Sequence, residues 1–269
     1  LACYFKINEK DYLIPMVIEE PSVVAAASKA AKIARKRGGF QATSDDSVMI
    51  GQIQITGLQD DLSAVDGILE NKERILDLAN EQDPVLKKLG GGAFDLKIRQ
   101  LATNRGRMLI IHLLVDVLDA MGANAVNTMT EAVAPLLEDL TGGTVHLRIL
   151  SNLAMNRIAR AKACFDKDLL GGEGVVEGIL DAYEFARADP YRATTHNKGI
   201  MNGIIALTLA TGNDTRAVEA GAHSYASLRG RYSPLSHFEV DQEGNLLGEI
   251  ELPLALGIIG GMTTSHPMA

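Results

Sequence analysis

Apolar spacing changes character several times along this chain, and the changes outline its elements. Apolar and β-branched residues at Tyr4–Ile7 and Tyr12–Ile18 predict two short strands, with Asn8–Asp11 as the turn between them. Glu19 and Glu20 precede Pro21, and proline in a first helical turn beside acids marks a helix start. The alanine-rich run Pro21–Arg37 that follows stops at Gly38 and Gly39. Between Val48 and Leu150 the order becomes strand, helix, strand, strand, helix, strand: Val48–Thr56, Asp61–Asn80, Phe94–Leu101, Met108–Val117, Asn124–Leu140 and Thr144–Leu150. That order is the split βαβ arrangement, an antiparallel sheet with both helices on one face, and it predicts an inserted domain.

Helical spacing resumes at Val175, Val176, Ile179, Leu180 and Tyr183 and ends before Pro190. The stretch Tyr191–Asp214, YRATTHNKGIMNGIIALTLATGND, then organises the rest. Ile200, Met201, Ile204, Ile205, Leu207 and Leu209 surround most of a helix whose opening turn carries Lys198, and a helix apolar nearly all round is expected to be buried. Lys198 and Asn202 share a face, and Gly199 and Gly203 leave room for a backbone or ligand to come close. A buried ammonium needs an anion to meet it. The competing reading is a lysine whose stem snorkels to solvent. Asp214 is placed to cap a helix running through Ser227. Ser236–Val240 and Leu246–Leu252 read as a hairpin around Glu243, Gly244 and Asn245, after which Gly257, Gly260 and Gly261 favour close backbone approach.

At 269 residues the chain can bury a sizeable core in one large domain or two smaller ones. A net charge of −8 and a pI near 5.3 argue against nucleic acid or anionic membrane as the main partner, leaving a small molecule or a second copy. The longest apolar run, Leu252–Met262, is too short to span a bilayer, and no leading segment has signal-peptide layout. Cys3 and Cys164 form no CxxC pair, so free thiols in a reducing cytoplasm are expected. The six histidines lack metal-ligand spacing and no HExxH accompanies them, so no metal is expected. There is neither a GxSxG elbow nor a GxGxxG loop. What remains is a set of Lys, Glu, Asp and Asn, suited to polarising a carbonyl and moving protons while a cofactor supplies hydride.

DAMGANAVNT, Asp119–Thr128, lies where a strand gives way to a helix. Gly122 permits a tight turn there, the first amides of the helix can meet a phosphate, and Asn124 and Asn127 add side-chain donors. An ordinary capped helix is the alternative. For Glu20 the alternative is helix-dipole complementarity, about 0.3 to 1 kcal/mol.

Four segments, Ile18–Ser28 (IEEPSVVAAAS), Asp119–Thr128, Thr194–Gly203 (TTHNKGIMNG) and Gly212–Asp214 (GND), occur in this order. Together they resemble HMG-CoA reductase of the bacterial type called class II. The resemblance implies an α+β fold: a large, mostly helical substrate-binding and catalytic domain, residues 1–47 and 152–269, with an inserted ferredoxin-like (βαββαβ) dinucleotide-binding domain, residues 48–151. It implies interconversion of HMG-CoA with mevalonate and CoA by two hydride transfers, with NADH as cofactor and NADPH as the alternative. Lys198 would hold the oxygen that becomes negative, Glu20 would donate protons from a site where burial raises its pKa, and Asp214 would lie between them and tune both. Ser22, Arg192 and Asn202 would contact substrate. Asp83, Asp119, Met121, Gly122, Asn124, Asn127 and Asn152 would hold the cofactor.

The same resemblance implies a cytoplasmic homodimer or higher oligomer with active sites at the subunit interface. The family's pattern extends beyond both ends of this sequence, to an N-terminal segment and a C-terminal domain with a catalytic histidine. His266, in SHPM, does not match that histidine, so a truncated or partly visible chain is expected. A non-catalytic homologue that binds a nucleotide or metabolite and acts by association is the reading from another class.

Overall fold

The structure, a computed structural model, describes residues 1–259; Gly260, Gly261 and His266 lie outside the described residues. The chain divides into two compact units, Leu1–Asp45 with Ile158–Ala269, and Asp46–Arg157.

The first unit is built on a six-stranded sheet in the order β2-β1-β3-β8-β10-β9. Its strands are β1 (Ala2–Ile7), β2 (Lys10–Ile14), β3 (Phe40–Ser44), β8 (Ile158–Phe165), β9 (Ser236–Val240) and β10 (Leu246–Pro253). β1 and β2 form a hairpin whose two turn residues, Asn8 and Glu9, have φ of 47° and 67°, the left-handed pair that matches strand twist. β2 ends at Ile14 instead of reaching Ile18, because Pro15 has no N–H for a ladder. β8 lies between β3 and β10 and is antiparallel to both. The pattern reading assigned no element to β3 or β8, so this unit is less helical than expected.

Helix α1 (Pro21–Arg35) packs on β1, buries Ala31, Ile33 and Ala34, and leaves Ala25, Ala26 and Ala30 exposed. After the short α6 (Lys167–Leu170) come α7 (Glu173–Ala188), α8 (Pro190–Ala210) and α9 (Thr215–Ser227). Asp189 caps α8, its Oδ1 accepting the Arg192 N–H at 2.9 Å. The helix therefore starts at Pro190, and Lys198 sits roughly two turns in rather than in the opening turn. Met201 packs with Val218, Ala222 and Ala226 of α9, and with Leu235 and Leu252, in this unit's core.

The second unit carries β4 (Val48–Thr56), α2 (Asp61–Glu70), α3 (Lys72–Asn80), α4 (Pro84–Lys88), β5 (Gly92–Thr103), β6 (Gly106–Asp116), α5 (Ala123–Thr141) and β7 (Thr144–Leu150). Its sheet runs β5-β6-β4-β7, with every neighbouring pair antiparallel. On β4, Met49, Ile53 and Ile55 are fully buried while Gln52 and Gln54 are half-buried, the period of two expected of a strand covered on one side. Gly51 belongs to the covered side, where a Cβ would run into Val126 and Thr130 of α5. The single helix read at Asp61–Asn80 is interrupted at Asn71, whose side chain donates to the Gly67 carbonyl at 2.9 Å. Asn80 ends α3 and pairs with both backbone groups of Ala93 at 2.8 Å, which starts β5 earlier than its apolar run suggests. The unit runs on to Arg157, past the span read as 48–151.

Candidate active site

Helix α8 presents Lys198 through its two neighbours in sequence. Asn197 is fully buried; its Nδ2 donates to the Ser233 carbonyl and its Oδ1 accepts the Leu235 N–H, both at 2.9 Å. His196 meets the Ser236 hydroxyl at 2.7 Å, and burial followed by the nearby Arg192 charge pulls its pKa below the usual imidazole range. With these two side chains fixing the inner face, Lys198 is turned to the outer one. It is exposed in the single chain, and among the described residues it enters no ion pair. The expectation of a buried ammonium is corrected. The inner stripe of α8 is Ala193, Asn197, Met201 and Thr208, whereas Tyr191, Thr195, Lys198 and Leu209 share the exposed face with half-buried Asn202. A Cβ at Gly199 or Gly203 would meet nothing within 4 Å. Arg192 is half-buried near the helix start and likewise enters no ion pair among the described residues.

Glu20 is the N-cap residue of α1 but its side chain caps nothing; its Oε1 accepts the Ser22 hydroxyl at 2.5 Å. Both residues are exposed, so burial of Glu20 is also corrected. Ser22, read as a substrate contact, here holds the glutamate. Asp214 caps α9, accepting the N–H groups of Arg216 at 2.9 Å and Ala217 at 3.2 Å, and pairs with the Arg216 guanidinium at 3.3 Å. The preceding Asn213 shapes this corner: its N–H reaches the Thr208 carbonyl at 3.0 Å and its Oδ1 accepts the Gly257 N–H at 2.8 Å. Asn197 and Asn213 are positioning residues that pattern reading passed over. An asparagine inside an apolar helix and another beside an acid were the available signals.

In the second unit, residues 117–122 form a tight loop from β6 into α5. Leu118 has φ of 52° and Gly122 of 94°, and a Cβ at Gly122 would press into the Val117 side chain. Only glycine enters that space and that conformation without strain. No side chain caps the first turn of α5, so its free amides face outward at the positive end of the helix dipole, which suits a phosphate. Asp119 and Asn124 are exposed, and Met121 is half-buried. Asn127 is partly committed, its Oδ1 accepting the Leu150 N–H at 2.9 Å. Asn152 is exposed after β7. Asp83 caps α4, its Oδ1 accepting the Leu86 N–H at 2.9 Å, which leaves its second oxygen for another donor. Among the described residues, no group of three His, Cys, Asp or Glu could hold a metal ion, and no helix is long and apolar enough to cross a membrane.

The family model for hydroxymethylglutaryl-coenzyme A reductase matches residues 1–269. The 3-hydroxy-3-methylglutaryl-coenzyme A reductase of Archaeoglobus fulgidus is 61% identical over 269 residues, which is 100% of this chain and 62% of that protein. The probable reductase of the same name from Borreliella burgdorferi is 38% identical over 267 residues, 96% of this chain and 59% of that protein. This chain thus spans less than two thirds of either relative. Among solved structures, the class II reductase of Streptococcus pneumoniae bound to NADPH in open conformations superposes with a TM-score of 0.95 at 43% identity, covering 99% of this chain and 66% of that one. With a family match along its whole length, this chain belongs to the hydroxymethylglutaryl-coenzyme A reductase family.

Proposed function

We propose that this chain supplies the substrate and cofactor sites of an HMG-CoA reductase that interconverts HMG-CoA with mevalonate and CoA. The observation that carries the reading is Lys198, a cation with no anionic partner among the described residues, held outward by the buried Asn197 clamp. The first unit would bind substrate and carry catalysis. The second, ferredoxin-like in its strand order, would hold a nicotinamide dinucleotide at the Gly122 turn and the uncapped start of α5. The NADPH bound in the S. pneumoniae structure supports a nicotinamide dinucleotide as the cofactor.

A thioester becomes an alcohol by gaining two hydrides and two protons while its C–S bond breaks and the thiol leaves. The nicotinamide, when bound, supplies hydride. Lys198 would stabilise negative charge on the carbonyl oxygen as it forms in each reduction, the electrostatic task that usually dominates such catalysis. Glu20, held by the Ser22 hydroxyl, would pass a proton to that oxygen. Asp214, fixed by its caps on α9, would contribute a negative charge to the assembled site. Arg192 offers a two-pronged donor for the free carboxylate of HMG, with Asn202 beside Lys198 as a further contact. Asp83, Asp119, Met121, Asn124, Asn127 and Asn152 complete the cofactor site, and the Asp83 carboxylate favours NADH over NADPH.

The exposed Lys198 face, with open space over Gly199 and Gly203, supports closure of the site by a second copy in a homodimer or larger assembly. The acidic chain and its free thiols suit the cytoplasm. The deciding experiment measures loss of nicotinamide absorbance with and without HMG-CoA. Oxidation that depends on HMG-CoA is expected; binding of NADH and HMG-CoA without turnover would instead favour a non-catalytic homologue.

A further inference from the structure

We propose that Arg157 is a positioning residue for the dinucleotide loop, an inference that rests on the cofactor site proposed above. Its Nη1 donates to the carbonyls of Ala120 at 3.0 Å and Met121 at 3.4 Å. In a trans peptide the C=O and the following N–H point in opposite directions. Drawing these two carbonyls toward the guanidinium therefore turns the amides of Met121 and Gly122 to the other side of the loop, where they join the free amides of α5.

The rest of the loop is tied just as closely. The Val117 N–H reaches the Ser47 carbonyl at 3.0 Å, Leu118 N–H the Asp116 carboxylate at 2.9 Å, and Ala120 N–H the Val117 carbonyl at 3.1 Å. Each of these bonds fixes an amide of the loop between Val117 and Ala120. Arg157 is the side chain that fixes the carbonyls of Ala120 and Met121, next to Gly122. It sits partly buried, which lowers its pKa, and the charges of Asp116 and Asp119 work against that shift. A fixed cation behind the loop also favours an anionic ligand in front of it. The residue lies far along the sequence from DAMG, at the end of the inserted unit, so no local motif draws attention to it.

The test measures dinucleotide affinity directly, by titrating the protein with NADH and NADPH and following ligand fluorescence, for the unsubstituted protein, Arg157→Met and Arg157→Lys. Arg157→Met keeps much of the stem and removes the donors. It is expected to weaken dinucleotide binding about tenfold, the scale of one charged hydrogen bond. The KM for HMG-CoA should stay within about twofold, a margin well under the effect of a lost hydrogen bond. Arg157→Lys, with one compact donor group for two carbonyls, should recover part of the affinity. Equal affinity in Arg157→Met and the unsubstituted protein overturns the proposal, as does a parallel loss of HMG-CoA affinity, which marks general disruption. If Arg157→Met does not fold, the lysine variant decides on its own: affinity equal to that of arginine counts against a two-carbonyl role. Failure of the unsubstituted protein to bind either dinucleotide removes the cofactor reading itself, a result distinct from any comparison of variants.

Discussion

The backbone N–H of Val17 donates to the carbonyl of Ala206 at 3.0 Å. This bond ties the segment leading into Glu20 to the helix that carries Lys198, so two residues far apart in sequence are referenced to one rigid element. The Cys3 N–H to the Ser28 hydroxyl, at 3.0 Å, holds the far side of α1 to β1 in the same way.

Lys198→Met removes the charge and keeps most of the stem. Because the side chain is exposed and enters no ion pair among the described residues, folding should be unaffected. Turnover of HMG-CoA should fall by roughly 10² or more, the scale of losing a principal oxyanion donor. Steady-state kinetics with a denaturation midpoint on the same preparation checks both halves, and near-normal turnover would refute the assignment.

Asn197→Ala is the complementary case. It deletes both hydrogen bonds of a fully buried side chain and leaves the Leu235 N–H and Ser233 carbonyl to find other partners. The expected loss is about 2 to 4 kcal/mol, read as a lower urea midpoint with unchanged slope. A midpoint like that of the unsubstituted protein would show that the clamp contributes little.

Asp83→Asn separates the two uses of one carboxylate. The amide oxygen can still accept the Leu86 N–H and cap α4, while the charge that opposes a 2′-phosphate is gone. The ratio of kcat/KM for NADPH to that for NADH should rise severalfold, by roughly the 1 kcal/mol of a modest charge interaction. An unchanged ratio would mean that the carboxylate does not face the adenosine ribose.

Tyr225→Phe tests a pH-dependent brace in the first unit. The Tyr225 hydroxyl donates to Glu251, which also accepts from Arg160 at 2.7 Å, and Arg160 reaches Asp45 at 2.6 Å. Burial first, then the hydrogen bond to Glu251, pushes the Tyr225 pKa from 10.0 up to about 12. In the window between those values an unfolded chain releases a proton that the folded chain retains. The contribution is complete below pH 10 and is lost as pH rises toward 12. Urea midpoints measured across this window should fall more steeply for the unsubstituted protein than for the phenylalanine variant; parallel profiles would remove the brace.

Much of the second unit was legible because apolar residues alternate along β7 and the second half of β4. β7 and β4 have the bounds their patterns predict, and β9 of the first unit does too. β8 was not legible. Its alternation sets Ala159, Ala161 and Ala163 against Arg160 and Lys162, and alanine with long cations lacks the β-branched and aromatic signature of a strand. The neighbours β3 and β10, not local preference, make it one.

The site divides in the same way. Asp214 as a cap and Gly122 as a turn were visible, because both roles are local and demand particular residues. The surroundings of Lys198 and Glu20 were not, since an apolar helix does not disclose which face its own chain leaves uncovered. Arg157 was invisible for a further reason: its partners are backbone carbonyls, and those leave no mark in sequence.

The pairing of β3 with β8 has a consequence for the entropy of folding. Ser44 lies opposite Ala159, and the Asp45 N–H bonds the Ile158 carbonyl at 2.9 Å, so the chain leaves this sheet and re-enters it at adjacent strands. To the six-stranded sheet, residues 46–157 are the loop of a hairpin. Closing a loop of that length as a flexible chain costs about 3 kcal/mol more than closing a four-residue turn. If the inserted unit folds first, its own contacts bring the two ends together and most of that entropy is spent before β3 meets β8. Amides of β4–β7 should accordingly gain protection from hydrogen exchange earlier in refolding than those of β3 and β8. A nascent chain would hold β1, β2, α1 and β3 without their central partner until the inserted unit had formed.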